Sequence, residues 1–264
     1  MSTDNSVHKT PHNRSFLAQT FTDSRGHTLP YRLLVPTVYP ACTHGGTHNV
    51  APDPIPLVLL LHGAGERGND NSAQLRNGVA ELLGSPTAAA RFPCVYLIPQ
   101  CPTQRRWVEV DWDTDHHVLQ PALSMPLAAT MQLVESLLGR YPIDTQRLYL
   151  IGLSMGAFGV WDLLSRRPDC FAAAVSICGG ADDNAAVTAR DVPIWVFHGA
   201  RDPIVSVERS RRTVAALRAT GGTLRYTEYP HVGHDAWTHA FAEPHLLPWL
   251  FAQRKTTTPV HQPK

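Results

Sequence analysis

The stretch LYLIGLSMGAFGVWDLL, residues 148–164, decides the fold. It opens on Leu148 to Ile151, a short continuous apolar run of the kind found in strands buried on both faces. It then passes through Gly152-Leu153-Ser154-Met155-Gly156 and continues as a helical pattern to Arg167. Working outward, the same unit recurs. Apolar runs lie at Leu57 to Leu61, Val95 to Ile98, Ala172 to Ile177, Ile194 to Phe197 and Leu224 to Tyr229. Helical patterns lie at Ala73 to Leu83, Pro126 to Arg140, Ser206 to Ala219 and Thr238 to Gln253. Strands that alternate with helices need crossover connections, so the pattern predicts an α/β fold with a doubly wound, mostly parallel sheet. Ahead of it, Phe16 to Phe21 and Leu29 to Val35 alternate apolar and polar residues around Asp23-Ser24-Arg25-Gly26, which reads as an N-terminal antiparallel hairpin. Pro36 to Pro56, with Gly45-Gly46, reads as a long surface loop. The expected organisation is a flexible tail over 1–14, one α/β domain over 15–255 and a second tail over 256–264.

Composition narrows the function. With 23 Lys+Arg against 22 Asp+Glu, a net charge of +1 gives no basic face for phosphate neutralisation, which argues against nucleic-acid binding. No apolar run approaches the ~20 residues of a membrane helix, and Met1 to Arg14 has no hydrophobic segment behind a basic start. The expectation is a cytoplasmic protein without a membrane partner. The five cysteines, Cys42, Cys94, Cys101, Cys170 and Cys178, are scattered without a C-x-x-C pair, so neither a disulfide framework nor a zinc site is expected. His44 with His48 and His116 with His117 have no carboxylate or thiolate at ligand spacing, and no metal is expected there. No nucleotide or flavin signature occurs, so no cofactor is expected.

In open α/β sheets, ligands bind beyond the carboxyl ends of the strands. The loops after each apolar run therefore carry the chemistry. A G-x-S-x-G between strand and helix forces its serine into a strained turn that projects the hydroxyl, while the glycines remove Cβ atoms that would clash. Ser154 is the expected nucleophile. A serine hydroxyl needs a base and an orienting acid. The run Ile194 to Phe197 leads into His198-Gly199-Ala200-Arg201-Asp202-Pro203, and Asp202 is the expected acid, with Asp182 and Asp183 in reserve. The run Leu224 to Tyr229 leads into Pro230-His231-Val232-Gly233-His234-Asp235. His234 is the expected base: His231 is too near the strand end, and His239 is already helical. Acyl transfer also needs N–H donors for the developing oxyanion. After Leu61 comes His62-Gly63-Ala64-Gly65-Glu66, an H-G-x-G that brings backbone close to substrate, and the Ala64 and Met155 N–H groups are the expected donors.

From about residue 30 to 252 the chain resembles the α/β-hydrolase superfamily, in particular the bacterial esterase and peptidase-like branch near dienelactone hydrolases and feruloyl esterases. The phrases LHGAGERGNDN, PQCP followed by Trp107, GLSMGAFGVWDL, FHGARDPIVSVERS and GHDAW carry the similarity. The resemblance implies the α/β-hydrolase fold, the Ser154, Asp202 and His234 triad, and Ala64 with Met155 as oxyanion donors.

The expected activity is hydrolysis of carboxylic esters through an acyl-serine intermediate, on a small-molecule or carbohydrate ester. Two alternatives are a small serine peptidase of prolyl-oligopeptidase-like type and a non-catalytic binding module on the same fold. Gly63, Gly65 and Glu66 are expected at the substrate. Gln100 to Gln120, with Trp107, Trp112, Arg105 and Arg106, is expected to border the cleft. Trp237 either faces the same pocket or packs in the core. Aromatic walls suit an aryl acid or a sugar ring, pointing to short acyl or carbohydrate-linked aryl and acetyl esters. Arg105 with Arg106 is either a solvated loop edge or a carboxylate clamp, and Glu66 with Arg67 either a local ion pair or a substrate contact.

Overall fold

A computed structural model describes residues 16–36 and 53–255. Eight strands form one sheet: β1 (Leu17–Thr22), β2 (Thr28–Leu34), β3 (Ile55–Leu61), β4 (Val95–Pro99), β5 (Ile143–Leu153), β6 (Ala173–Ile177), β7 (Ile194–Gly199) and β8 (Leu224–Tyr229), in the order β1-β2-β4-β3-β5-β6-β7-β8. The β1–β2 and β2–β4 pairs are antiparallel and all the others are parallel. The doubly wound sheet with its N-terminal hairpin is the arrangement the sequence predicts. Pro56 has no N–H to give to the ladder, and the β3–β5 register shifts there, between Ile55 and Leu57.

The helices are α1 (Val79–Gly84), α2 (Pro86–Arg91), α3 (Met125–Arg140), α4 (Met155–Arg166), α5 (Asp183–Ala186), α6 (Val207–Ala219), α7 (Ala236–Phe241) and α8 (Leu246–Phe251). Successive side chains of a strand point to opposite faces. Leu57, Leu59 and Leu61 of β3 accordingly share a core with α3, α4 and α6, while Val58 and Leu60 share one with α1, α7 and α8. Each of these fully buried side chains stabilises the fold by roughly 1.5–3 kcal/mol.

Two expected helices are broken. Ala73 to Leu83 divides into a 3-10 turn, Ala73–Leu75, and α1, because Asn77 and Gly78 take positive φ, 60° and 76°. Ser85 then caps α2, with Pro86 in its first turn, a helix the pattern did not single out. Thr238 to Gln253 is α7 and α8, separated at Glu243-Pro244, where proline cannot continue the hydrogen-bonding and bends the preceding residue out of the helical region. The expected tails, most of the 36–56 loop with Gly45-Gly46, and Cys42, His44 and His48 lie outside the described residues. Among the described residues no helix is long and apolar enough to cross a membrane.

Candidate active site

The carboxyl ends of β3, β5, β7 and β8 bring the site residues together. Ser154 sits between β5 and α4 with φ 51° and ψ −122°, a conformation that costs a non-glycine residue about 1–3 kcal/mol. Its N–H donates to the Ile177 carbonyl at 2.8 Å, which ties the turn to β6 and leaves the side chain free to project. Gly156 makes the turn possible: a Cβ there would lie 1.9 Å from the Leu61 carbonyl oxygen.

Ser154 Oγ is 2.8 Å from His234 Nε2, and His234 Nδ1 is 2.7 Å from Asp202 Oδ2. The Asp202 carboxylate is fully buried, and the imidazole is 20% exposed. Asp202 Oδ1 accepts the N–H groups of Ile204 and Val205, both at 2.9 Å. Burial alone would raise the Asp202 pKa, but His198, His234 and these two amides overcome it and hold the carboxyl well below the usual range. It is therefore an ionised partner that fixes the imidazole with Nδ1 protonated and Nε2 free to accept a proton. The loops after β7 and β8 meet backbone to backbone, since a Cβ on Gly199 would lie 2.1 Å from the Gly233 carbonyl oxygen.

The H-G-x-G segment lies beside Ser154. A Cβ on Gly63 would be 3.6 Å from Ser154 Cβ. Ala64 opens a 3-10 turn, Ala64–Glu66, and Met155 opens α4; neither N-terminus is capped by a side chain. Uncapped N–H groups at two adjoining helix starts suit an anion. A network behind the turn holds it. His62 is completely buried, its Nδ1–H donates to the Gly63 carbonyl at 2.6 Å, and its Nε2 accepts the Cys101 N–H at 2.9 Å. Burial pushes the His62 pKa down to about 4, so the ring is neutral. Gln100, also fully buried, donates to the Glu66 carbonyl at 3.1 Å and to Asp70 Oδ1 at 2.8 Å.

The expected substrate contacts divide. Gly65 is exposed, with open space where a Cβ would be. Glu66 is turned inward: its carboxylate is buried, accepts from Asn77 Nδ2 at 2.8 Å, and has a pKa raised by burial against the Gly63 amide and Asn77. Arg67 donates to the Ala64 carbonyl at 2.9 Å and has no bond to Glu66. Trp107 does not line the cleft. It is 0% exposed, and its indole N–H donates to the His62 carbonyl, 3.0 Å away. Trp112 is half-buried under the Arg106 guanidinium, 4.3 Å from the ring centre, and Arg106 also bonds Val110 O and Asp111, a local loop brace. Trp237 is half-buried and meets the His234 ring edge to face at 5.4 Å. Of the reserve acids, Asp182 caps α5 and accepts the Leu119 N–H, and Asp183 bonds Thr213. His117 bonds Arg209, and burial with that charge lowers its pKa to about 4. Cys178 Sγ lies within 4.8 Å of donor atoms of Asp202 and His234, and burial with the Asp202 charge raises the thiol to about 12.

The profile of the phospholipase/carboxylesterase family matches residues 49–244. The chain belongs to that family. A thermostable esterase of known structure is 39% identical to this carboxylesterase-family chain, with a TM-score of 0.80 over 91% of this chain and 63% of its own. The bifunctional acetylxylan esterase/xylanase XynS20E of Neocallimastix patriciarum is 31% identical over 161 residues, 61% of this chain and 21% of the relative. The structure of a ferulic acid esterase shares the fold at 17% identity, TM-score 0.65, over 90% of this chain and 98% of its own. This chain spans 20% to 53% of the length of the curated relatives it matches.

His198, Gln100 and Trp107 surround the site in ways the sequence did not disclose. All three fall within motif phrases, but a buried supporting role leaves no mark in spacing.

Proposed function

We propose that this protein hydrolyses carboxylic esters through an acyl-Ser154 intermediate. The observation that carries this reading is the continuous relay Ser154 Oγ, His234, Asp202, with separations of 2.8 and 2.7 Å. His234 Nε2 takes the Ser154 proton as Oγ attacks the acyl carbon, and Asp202 stabilises the imidazolium that forms. The carbonyl oxygen becomes an oxyanion received by the Ala64 and Met155 N–H groups, each such donor being worth roughly 3 kcal/mol. The imidazolium then protonates the leaving alkoxide. Water, deprotonated by the same imidazole, releases the acid. Only neutral imidazole starts the cycle, so turnover falls on acidification.

For the natural substrate we favour carbohydrate-linked acetyl or aryl esters. Two similar proteins, a bifunctional acetylxylan esterase/xylanase and a ferulic acid esterase, support this class. Fluorophosphonate labelling with peptide mass analysis tests the intermediate, and the label is expected on Ser154. Ester turnover with label elsewhere, or with none, rejects the assignment. Acetylated xylan, feruloyl sugar esters and matched anilides test the substrate; faster cleavage of the anilides would make the protein a peptidase.

A further inference from the structure

His198 is the penultimate residue of β7, four residues before Asp202, and is completely buried. Its Nε2 lies 3.0 Å from the Val205 carbonyl and 3.3 Å from Asp202 Oδ2, the same oxygen that faces His234 Nδ1. Both neighbours only accept, so Nε2 must carry a proton. On the other side of the ring, Nδ1 is 2.7 Å from Ser210 Oγ, which is also 3.1 Å from the Gly179 carbonyl. With its proton on Nε2, the neutral ring accepts the Ser210 hydroxyl proton at Nδ1, so it is held at both nitrogens, with Nε2–H on the Val205 carbonyl and Asp202 Oδ2 beside it at 3.3 Å.

We propose that His198 is a positioning residue for the hydrolytic relay: its Nε2–H shares Asp202 Oδ2 with His234 and fixes where that carboxylate points. The proposal rests on the acyl-Ser154 reading above. Four donors then define the carboxylate. The Ile204 and Val205 amides set Oδ1, and the two imidazoles set Oδ2 from different elements, β7 and the loop after β8. The Asp202 side chain is 0% exposed, so no solvent stands ready to replace a lost donor. Without His198, Oδ2 keeps His234 alone, and its negative charge is drawn toward one ring instead of two. Imidazolium at His234 is then better stabilised, and the acid limb of the rate profile moves to higher pH. Other titratable groups face this pair. Cys178, at the end of β6, is held as the thiol, with a pKa of about 12. Glu228, opposite His198 in the β7–β8 register, is held low, at about 2, by Arg211. Asp235 follows His234, and Arg209 precedes Ser210 on α6. None of these groups touches Asp202 Oδ2.

The test compares His198→Phe, which keeps a ring without a donor, with His198→Gln, which keeps an N–H donor. The kcat, KM and pH profile are measured on p-nitrophenyl acetate, with fluorophosphonate labelling of Ser154 and circular dichroism. Folded His198→Phe is expected to lose roughly 10- to 100-fold in kcat with KM within about twofold, as for a reacting group displaced by less than an ångström. Its acid limb should move up by about half a pH unit. His198→Gln should recover most of kcat and the wild-type limb. Wild-type kcat and limb in His198→Phe overturn the proposal, as does an equal loss in both variants with an unmoved limb, which would mean packing only. Should His198→Phe not fold, Ser210→Ala decides: a lower kcat with the limb moved up supports the proposal, and wild-type values overturn it. Wild-type enzyme unlabelled at Ser154 would refute the acyl-serine reading itself, an outcome separate from labelled wild type with indifferent variants.

Discussion

The Trp107 indole donates to the His62 carbonyl at 3.0 Å and meets the His62 ring edge to face at 5.2 Å. The loop after β4 is thereby fastened to the end of β3, one residue before the H-G-x-G glycine. Trp107 thus supports the turn that carries the Ala64 N–H. Trp107→Phe keeps the buried ring and leaves the His62 carbonyl without its donor, at a cost of about 1–3 kcal/mol. Thermal melting should fall by several degrees and kcat by a few-fold. Relative rates on acetyl, butyryl and aryl esters should stay the same; altered acyl selectivity would put the indole in the cleft after all.

Gly156 and Gly65 should respond oppositely to the same added methyl group. A Cβ at position 156 would meet the Leu61 carbonyl at 1.9 Å, whereas one at 65 meets nothing within 4 Å. Gly156→Ala forces β3 and α4 apart and is expected to cost several kcal/mol, with loss of turnover. Gly65→Ala should alter stability by no more than about 0.5 kcal/mol. Urea unfolding of both variants checks the contrast, and equal midpoints would contradict the packing described.

Ser154 adds strain of its own, with φ at 51°. Both Ser154→Ala and Ser154→Gly should reduce ester turnover roughly 10⁴-fold or more. They should differ in stability. Glycine tolerates this backbone conformation, so Ser154→Gly is expected to be about 1 kcal/mol more stable than Ser154→Ala, after the greater freedom of glycine in the unfolded chain is counted. An alanine variant as stable as the glycine one would show that the turn carries no strain.

Acid should destabilise the fold before the carboxylates titrate. His62 and His117 are pushed down to about 4 by burial, His117 also by the Arg209 charge. An unfolded chain takes up protons on these rings below about pH 6.5 while the folded chain does not, so stability is lost as pH falls from about 6.5 to 4. His62, fully buried, should contribute roughly 1 kcal/mol per pH unit in that window. Glu66, raised by burial, acts in the opposite sense and offsets part of the loss at the acidic end. Guanidinium unfolding at pH 7.5, 6 and 4.5 measures the slope, and His117→Gln should flatten it. Constant stability across the three values would contradict the assignment of neutral buried rings.

The strands, their order of appearance and the three residues that the fold brings within hydrogen-bonding distance, Ser154, His234 and Asp202, were legible because each is written locally. A continuous apolar run marks a buried strand, and Gly152-x-Ser154-x-Gly156 marks a turn between strand and helix. The helix breaks were partly legible in Asn77-Gly78 and Pro244, but the apolar periodicity continues across both and hides them. Trp107 shows the limit: an aromatic residue in a loop reads the same whether it lines a cleft or stands behind one.

The local pattern of the sequence thus determined the alternation of β and α, the strained serine and which loops hold Asp202 and His234. Only the tertiary structure decided that Asp202 shares its carboxylate oxygen between His234 and His198, that Glu66 turns inward, and that Trp107 supports a backbone carbonyl. Those relations are set by how the loops and elements pack and not by spacing along the chain. Their partners are chosen by burial, which leaves each polar atom to be satisfied by whatever donor or acceptor the packed fold places within reach.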